Sequence, residues 1–121
     1  MSEQPVQTSR GMPVAEAACA TDLVSYQPGS VVSRQLIKHD KGNVTLFAFD
    51  QAQGLSEHTA PFDALVHVLE GEAEVTISGK PLRAKAGELV LMPAHQPHSL
   101  SAVTRFKMLL TMVRSGLHKL H

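Results

Sequence analysis

Hydrophobic and polar positions alternate with a period of two through much of this chain, most clearly over residues 72–78. There Glu72, Glu74 and Thr76 interleave with Ala73, Val75 and Ile77, which predicts a strand with one buried and one wet face. Residues 30–38 and 43–50 are rich in Val, Ile, Leu and Phe, and Asp40-Lys41-Gly42-Asn43 stands between them, the pattern of a hairpin. A further strand is expected over 64–69, leading through Glu70-Gly71 into 72–78. Ser78-Gly79-Lys80 and Ala86-Gly87 read as reversals, the second opening onto a strand at 88–92. The last strand is expected at 105–113. No stretch after Gly29 keeps a helical period. Short strands with turn residues between them predict an all-β antiparallel sandwich or barrel.

The N-terminal portion has a different texture. Residues 1–12 are rich in Ser, Gln and Glu and read as a flexible arm. Residues 13–21 include four alanines and are expected to be irregular or weakly helical, one turn or two. Tyr26-Gln27-Pro28-Gly29-Ser30 is a turn signal. The division expected is therefore arm, one domain over 13–114, and a tail at 115–121, since 121 residues suit a single core.

Composition removes several function classes. Eleven basic residues balance eleven acidic ones and are scattered, so no field gathers nucleic acid. The polar start lacks a basic segment followed by an apolar run, and apolar stretches such as 89–93 are too short to span a bilayer. Neither a secretory leader nor a membrane is expected, and the cytoplasm is the default location. Cys19 is the only cysteine, so no intramolecular disulfide forms.

The candidate chemistry lies in two segments. The first runs Gly54-Leu55-Ser56-Glu57-His58-Thr59-Ala60-Pro61-Phe62-Asp63-Ala64 and on to Val68-Leu69-Glu70-Gly71. The second is Gly87-Glu88-Leu89-Val90-Leu91-Met92-Pro93-Ala94-His95-Gln96-Pro97-His98. Together they resemble the paired signature of the cupin superfamily, G-x5-H-x-H-x3,4-E-x6-G followed by G-x5-P-x-G-x2-H-x3-N. The resemblance implies an antiparallel double-stranded β-helix, the jelly-roll cupin barrel, of the small single-domain bacterial kind. In metal-binding relatives, two His and a Glu of the first motif and a His of the second hold a divalent metal such as Fe, Mn, Ni, Zn or Cu.

Carried over residue by residue, only half of that set survives. His58 stands at the first ligand position and His98 at the last, but Ala60 replaces the second His and Ala64 the carboxylate. His95 stands where Gly is usual, and Ala102 where Asn is usual. Gly54 sits two residues closer to His58 than the pattern asks.

Two imidazoles are fewer than the three protein ligands of a typical catalytic metal. Asp63 would need a bulge to turn inward. His67 has exterior parity, Glu57 should face away from His58, and His39 is assigned no role. His95, in the loop between Pro93 and Pro97, is a candidate third metal ligand beside His58 and His98. His118 and His121 are spaced to chelate metal only as an accidental tail site. The first expectation is thus a small-molecule pocket formed by His58, Ala60, Ala64, His98, Met92 and Met108, with Met112 beside them, opened by the two alanines and holding no certain cofactor. The alternative is a metal-dependent dioxygenase, isomerase or decarboxylase using His58 and His98 with water or an added ligand. The residues leave enzyme or binder open and name no catalytic group. The resemblance also implies a homodimer, with the arm and residues 30–38 as interface pieces.

Overall fold

The computed structural model describes residues 7–116. Ten strands follow one another along it: β1 Gln7–Arg10, β2 Val31–His39, β3 Gly42–Phe49, β4 Gly54–His58, β5 Phe62–Glu70, β6 Glu72–Ile77, β7 Lys80–Lys85, β8 Leu89–Met92, β9 His98–Ala102 and β10 Phe106–Arg114. They form a six-stranded sheet, in the order β1-β2-β3-β10-β5-β8, and a four-stranded sheet in the order β4-β9-β6-β7. All pairings are antiparallel except β1 on β2. Among the described residues, no helix is long and apolar enough to cross a membrane.

The expected alternation sets the layers. Ala73 and Val75 of β6, Ala64, Val66 and Val68 of β5, and Phe106, Met108 and Leu110 of β10 all turn into one core between the sheets. Phe49 and Phe106 stack there with ring centroids 4.4 Å apart, and both are fully buried. Gly71, between β5 and β6, adopts φ +79, and a Cβ on it would overlap the carbonyl oxygen of Arg105. Only glycine allows the β5–β6 reversal to sit so close to the start of β10.

A second apolar cluster, Val24, Leu46 and Ala48, lies on the outer face of the larger sheet. Residues 20–26 lie over it, and Leu23 and Tyr26 pack in. The Tyr26 hydroxyl donates to Glu70 Oε2 at 2.6 Å, and the cations of Arg105 and Lys107 each lie 4.9 Å from the Tyr26 ring centroid. Lys107 is buried and donates to the Thr21 carbonyl at 2.6 Å. Burial and the Glu70 carboxylate push the Tyr26 hydroxyl above its usual pKa. Asp50 ties down the next turn, accepting from the Gly29 N–H at 2.7 Å and from Arg105 Nε at 2.9 Å.

The arm and the free edge expected at residues 30–38 change, while the segment over 13–21 is as expected. Within the arm expected over 1–12, Gln7–Arg10 is a strand paired parallel to β2 from Gln7↔Val32 to Arg10↔Gln35, and residues 1–6 lie outside the described residues. The backbone of β2 has hydrogen-bonding groups on two sides, and β1 satisfies the side that β3 leaves. Residues 32–35, within the edge expected over 30–38, are therefore covered by β1. The alanine-rich 13–21 segment forms turns and then one 3₁₀ turn at Ala20–Asp22, with Ala15 at φ +60. Of the tail, Ser115 and Gly116 are irregular and the rest, including His118 and His121, lies outside the described residues.

Candidate functional site

β4 and β9 are neighbours in the smaller sheet, and their register sets His58 directly opposite His98. The rings meet edge to face, with centroids 4.5 Å apart and planes at 67°. His98 opens β9, where it shares a face with buried Leu100 and Ala102, and it is 6% exposed. Ile77 of β6 lies on its other side in register. His58 closes β4, an edge strand, and is exposed. The pair therefore sits at the rim of the barrel, one imidazole inside and one at the solvent.

Each ring is oriented by the backbone two residues before it. Nδ1 of His58 lies 2.9 Å from the Ser56 carbonyl oxygen, and Nδ1 of His98 lies 3.2 Å from that of Gln96. A carbonyl oxygen only accepts, so each ring donates from Nδ1 and, in its neutral form, leaves a lone pair on Nε2. The Gln96 carbonyl is itself held in place: Ser78 donates its N–H to Pro97 O at 2.8 Å and its hydroxyl to Gln96 Oε1 at 3.0 Å. Burial of His98 and the neighbouring His58 lower its pKa, against the opposing effect of the Gln96 hydrogen bond. His98 is thus a neutral acceptor around neutral pH.

The other sequence candidates fall into place around this pair. Ala64 is buried opposite Met92 on β8, and Met92 and Met108 are 2% and 0% exposed members of the core. Met112 packs half-buried against them. Ala60 is half-buried, and its carbonyl accepts the His95 N–H at 2.8 Å. His95 is exposed at φ +67, a conformation the tight 93–97 loop imposes. Asp63 stays outside and accepts the Ala94 N–H at 2.9 Å, so it braces that loop. Glu57 and His39 are exposed, and His67 lies half-buried on the outer face, opposite Leu109 of β10 and Leu89 of β8.

The metal implied by the resemblance can be tested against these donors. Imidazole Nε2 suits a divalent transition ion, and both rings are oriented as ligating histidines are. Yet among the described residues no group of three His, Cys, Asp or Glu side chains converges, so His95 does not join the pair. Methyl groups stand at the other two positions. The described donor set is one ligand short of a catalytic metal centre and does not fit it.

Some features had no sequence signal. The two carbonyls that fix the tautomers are backbone, and no residue type marks them. A cleft of about 540 Å³ opens between β7 and β8, lined by Ile77, Leu82, Ala84, Leu89 and Leu91 among others. It contains none of the residues expected to line the pocket.

Comparison with known proteins gives a consistent result. A family model described as "Cupin domain" matches residues 45–114. A conserved protein of unknown function from Streptococcus pyogenes is 32% identical, with a TM-score of 0.85 over 97% of this chain and 98% of that one. A cupin superfamily protein from Desulfitobacterium hafniense is 26% identical, with a TM-score of 0.82 over 87% and 96% of the two chains. A cupin 2 conserved barrel domain protein from Leptotrichia buccalis is 39% identical over 78% of this chain but 46% of its own, with a TM-score of 0.76. No curated protein shows significant similarity to the chain.

Proposed function

Since this chain belongs to the cupin-domain family, we propose that it binds a small organic molecule at the barrel rim, through the Nε2 atoms of His58 and His98. One observation carries the reading: both rings turn Nδ1 to a backbone carbonyl, and neither Nε2 has a hydrogen bond to a described residue. Polar atoms held in a fixed orientation beside an apolar core are what a specific ligand site requires. The ligand must bring hydrogen-bond donors, hydroxyl or N–H, because both facing atoms accept. Ile77 and Met112, half-buried against the core, offer its apolar part a surface. The enzymatic alternative rests on the same ring: His98, neutral at the rim, is positioned to take a proton from a weakly acidic ligand hydroxyl. No step is assigned to a metal, because the described donors do not fit one. We also take the cytoplasm as the location, where a free, exposed thiol such as Cys19 stays reduced.

A thermal-shift screen against a panel of hydroxylated and aromatic metabolites tests the proposal. At a ligand concentration of about 100 times Kd, stabilisation of about 2.7 kcal/mol is expected. His98→Ala should abolish that shift. The proposal fails if no compound shifts the melt, or if the shift survives in His98→Ala.

A further inference from the structure

The inner face of the larger sheet changes character from one end of the barrel to the other. At one end Val31, Phe49 and Phe106 lie in register across β2, β3 and β10, all of them buried. The other end carries the histidines, because His58 precedes β5 by a short loop and His98 follows Met92, the register partner of Ala64. There the same face turns polar on β2 and β3. Gln35 stands opposite Thr45, and the Thr45 hydroxyl donates to Asn43 Oδ1 at 3.5 Å. Beyond them, at the lip, are two cations. The register of β2 shifts between Gln35 and Ile37, so Lys38 pairs with Asn43 and shares its inward face. Arg114 ends β10 on the face of Met112, opposite Phe62, and its guanidinium lies 5.6 Å from the Phe62 ring centroid.

Lys38 and Arg114 are exposed, and neither makes an ion pair with a described residue. The carboxylates at this end take no inward position. Asp63 is on the outer face, where it holds the Ala94 N–H, and Asp40 lies in the β2–β3 turn beside His39. In β4, Ser56 and Glu57 both fall opposite Ser99, whose neighbours His98 and Leu100 are the buried ones, so the bulge turns Glu57 outward. The cleft between β7 and β8 puts those two edges on one side of the barrel, so β4, the other edge of the smaller sheet, lies toward β2 and β3. The histidines and the two unpaired cations therefore face one another across the mouth, on sheets about 10 Å apart.

We propose that the ligand is a small hydroxy acid, held by its hydroxyl on the histidines and by its carboxylate on Lys38 and Arg114. This rests on the reading of the rim as a ligand site and adds the charge of what enters it. Each part of the mouth matches one part of the molecule. The Nε2 atoms accept, so they take a hydroxyl. Lys38 and Arg114 carry donors only, and with no ion pair to break they are open to a carboxylate. The amides of Gln35 and Asn43 lie on the wall beneath them, where they add neutral donors. Between the two walls, Ile77 and Met112 offer a surface to a ring or a short carbon chain. A neutral polyol would satisfy the histidines and leave both cations in water, whereas an amine would be repelled at the lip. An approaching anion is drawn to this end by the same two charges.

Titration calorimetry of the full chain with matched probes tests the charge: para-hydroxybenzoate against para-hydroxybenzyl alcohol, and gluconate against sorbitol. Each pair exchanges a carboxylate for a neutral carbinol. In at least one pair the acid should bind about tenfold tighter than its alcohol, the effect of one hydrogen bond to a charged group. That margin should shrink as salt is raised. Lys38→Gln combined with Arg114→Gln should bring the acid to the affinity of the alcohol, with the far-UV circular dichroism unchanged. Lys80→Gln removes a charge from β7 and should not. His98→Ala should weaken both members of the pair. Equal affinities for acid and alcohol, or an advantage that survives the loss of Lys38 and Arg114, overturn the hydroxy acid and leave the rim site standing. Acid binding untouched by His98→Ala overturns both. If no probe binds, the hydroxy acid is overturned, and the rim site falls with it only when the wider metabolite panel also gives no shift.

Discussion

Gly71→Ala should be among the most damaging single-atom changes in this protein. Residue 71 holds φ +79, where an L side chain costs about 1–2 kcal/mol. Its added Cβ would also overlap Arg105 O and lie 2.8 Å from both Cα and Cβ of Phe106. Phe106 cannot yield, because it is fully buried and stacked on Phe49. Relieving that contact is an overpacking cost of about 1–3 kcal/mol. The combined loss is about 2–5 kcal/mol. For a chain of 121 residues the entropy of unfolding makes 1 kcal/mol worth about 4 °C, so Tm should fall by about 8–20 °C in a calorimetric scan. Gly79→Ala is the internal control. Gly79 has φ +80 but nothing within 4 Å of the new atom, so only the backbone cost applies and Tm should drop by about 4–8 °C. Equal shifts in the two variants would refute the close approach of the β5–β6 reversal to β10.

Other outcomes follow from named groups. His98 has a lowered pKa in the folded state, so above the unfolded value of 6.5 both states are neutral and no linkage operates. As pH falls below 6.5 the unfolded chain takes up the proton first, so the urea midpoint should decline, less steeply in His98→Phe; an unchanged slope contradicts burial of the neutral ring. Asp50 is held down at about 2 by Arg105 and the Gly29 and Gln51 N–H groups, so its stabilising contribution is full above its usual 3.8 and is lost as pH falls from there toward 2. Asp50→Asn should melt lower at neutral pH and show a flatter acid limb between these values. Met108→Ala should cost about 2–5 kcal/mol as a core truncation, measured by chemical denaturation, whereas a methionine lining an open pocket would cost far less.

Period-two alternation made β6 legible, because one of its faces lies in the core and the other is partly outside it, whereas β3 and β10 showed as apolar runs bounded by turn residues because both of their faces are largely covered. β4, β7 and β9 escaped notice for physical reasons. β7 has only Ala84 buried, β9 alternates small residues with His and Leu, and β4 is short and irregular. Pairing with a neighbour, more than the sequence of the strand itself, makes them strands. The convergence of His58 and His98 was expected only from what the family resemblance implies for the two motifs, and the structure places both at the ends of adjacent strands. That Met92 and Met108 belong to the core was not legible, because parity says inward but not whether the inward space is filled. The latch of Tyr26, Glu70 and Lys107 was also hidden, although the chain's only tyrosine and a lysine in an apolar strand were its visible traces.

The protonation of the His58 and His98 rings is read directly by ¹⁵N-edited NMR of labelled histidines. At pH 7.5 His98 should show a protonated Nδ1 and an unprotonated Nε2, and the neutral form of His58 should show the same tautomer, the one their carbonyl partners demand. A bound ligand should then shift both Nε2 signals together. A proton found on Nε2 of His98 at that pH, in either the neutral or the charged form, would contradict the claim that this rim presents paired acceptors.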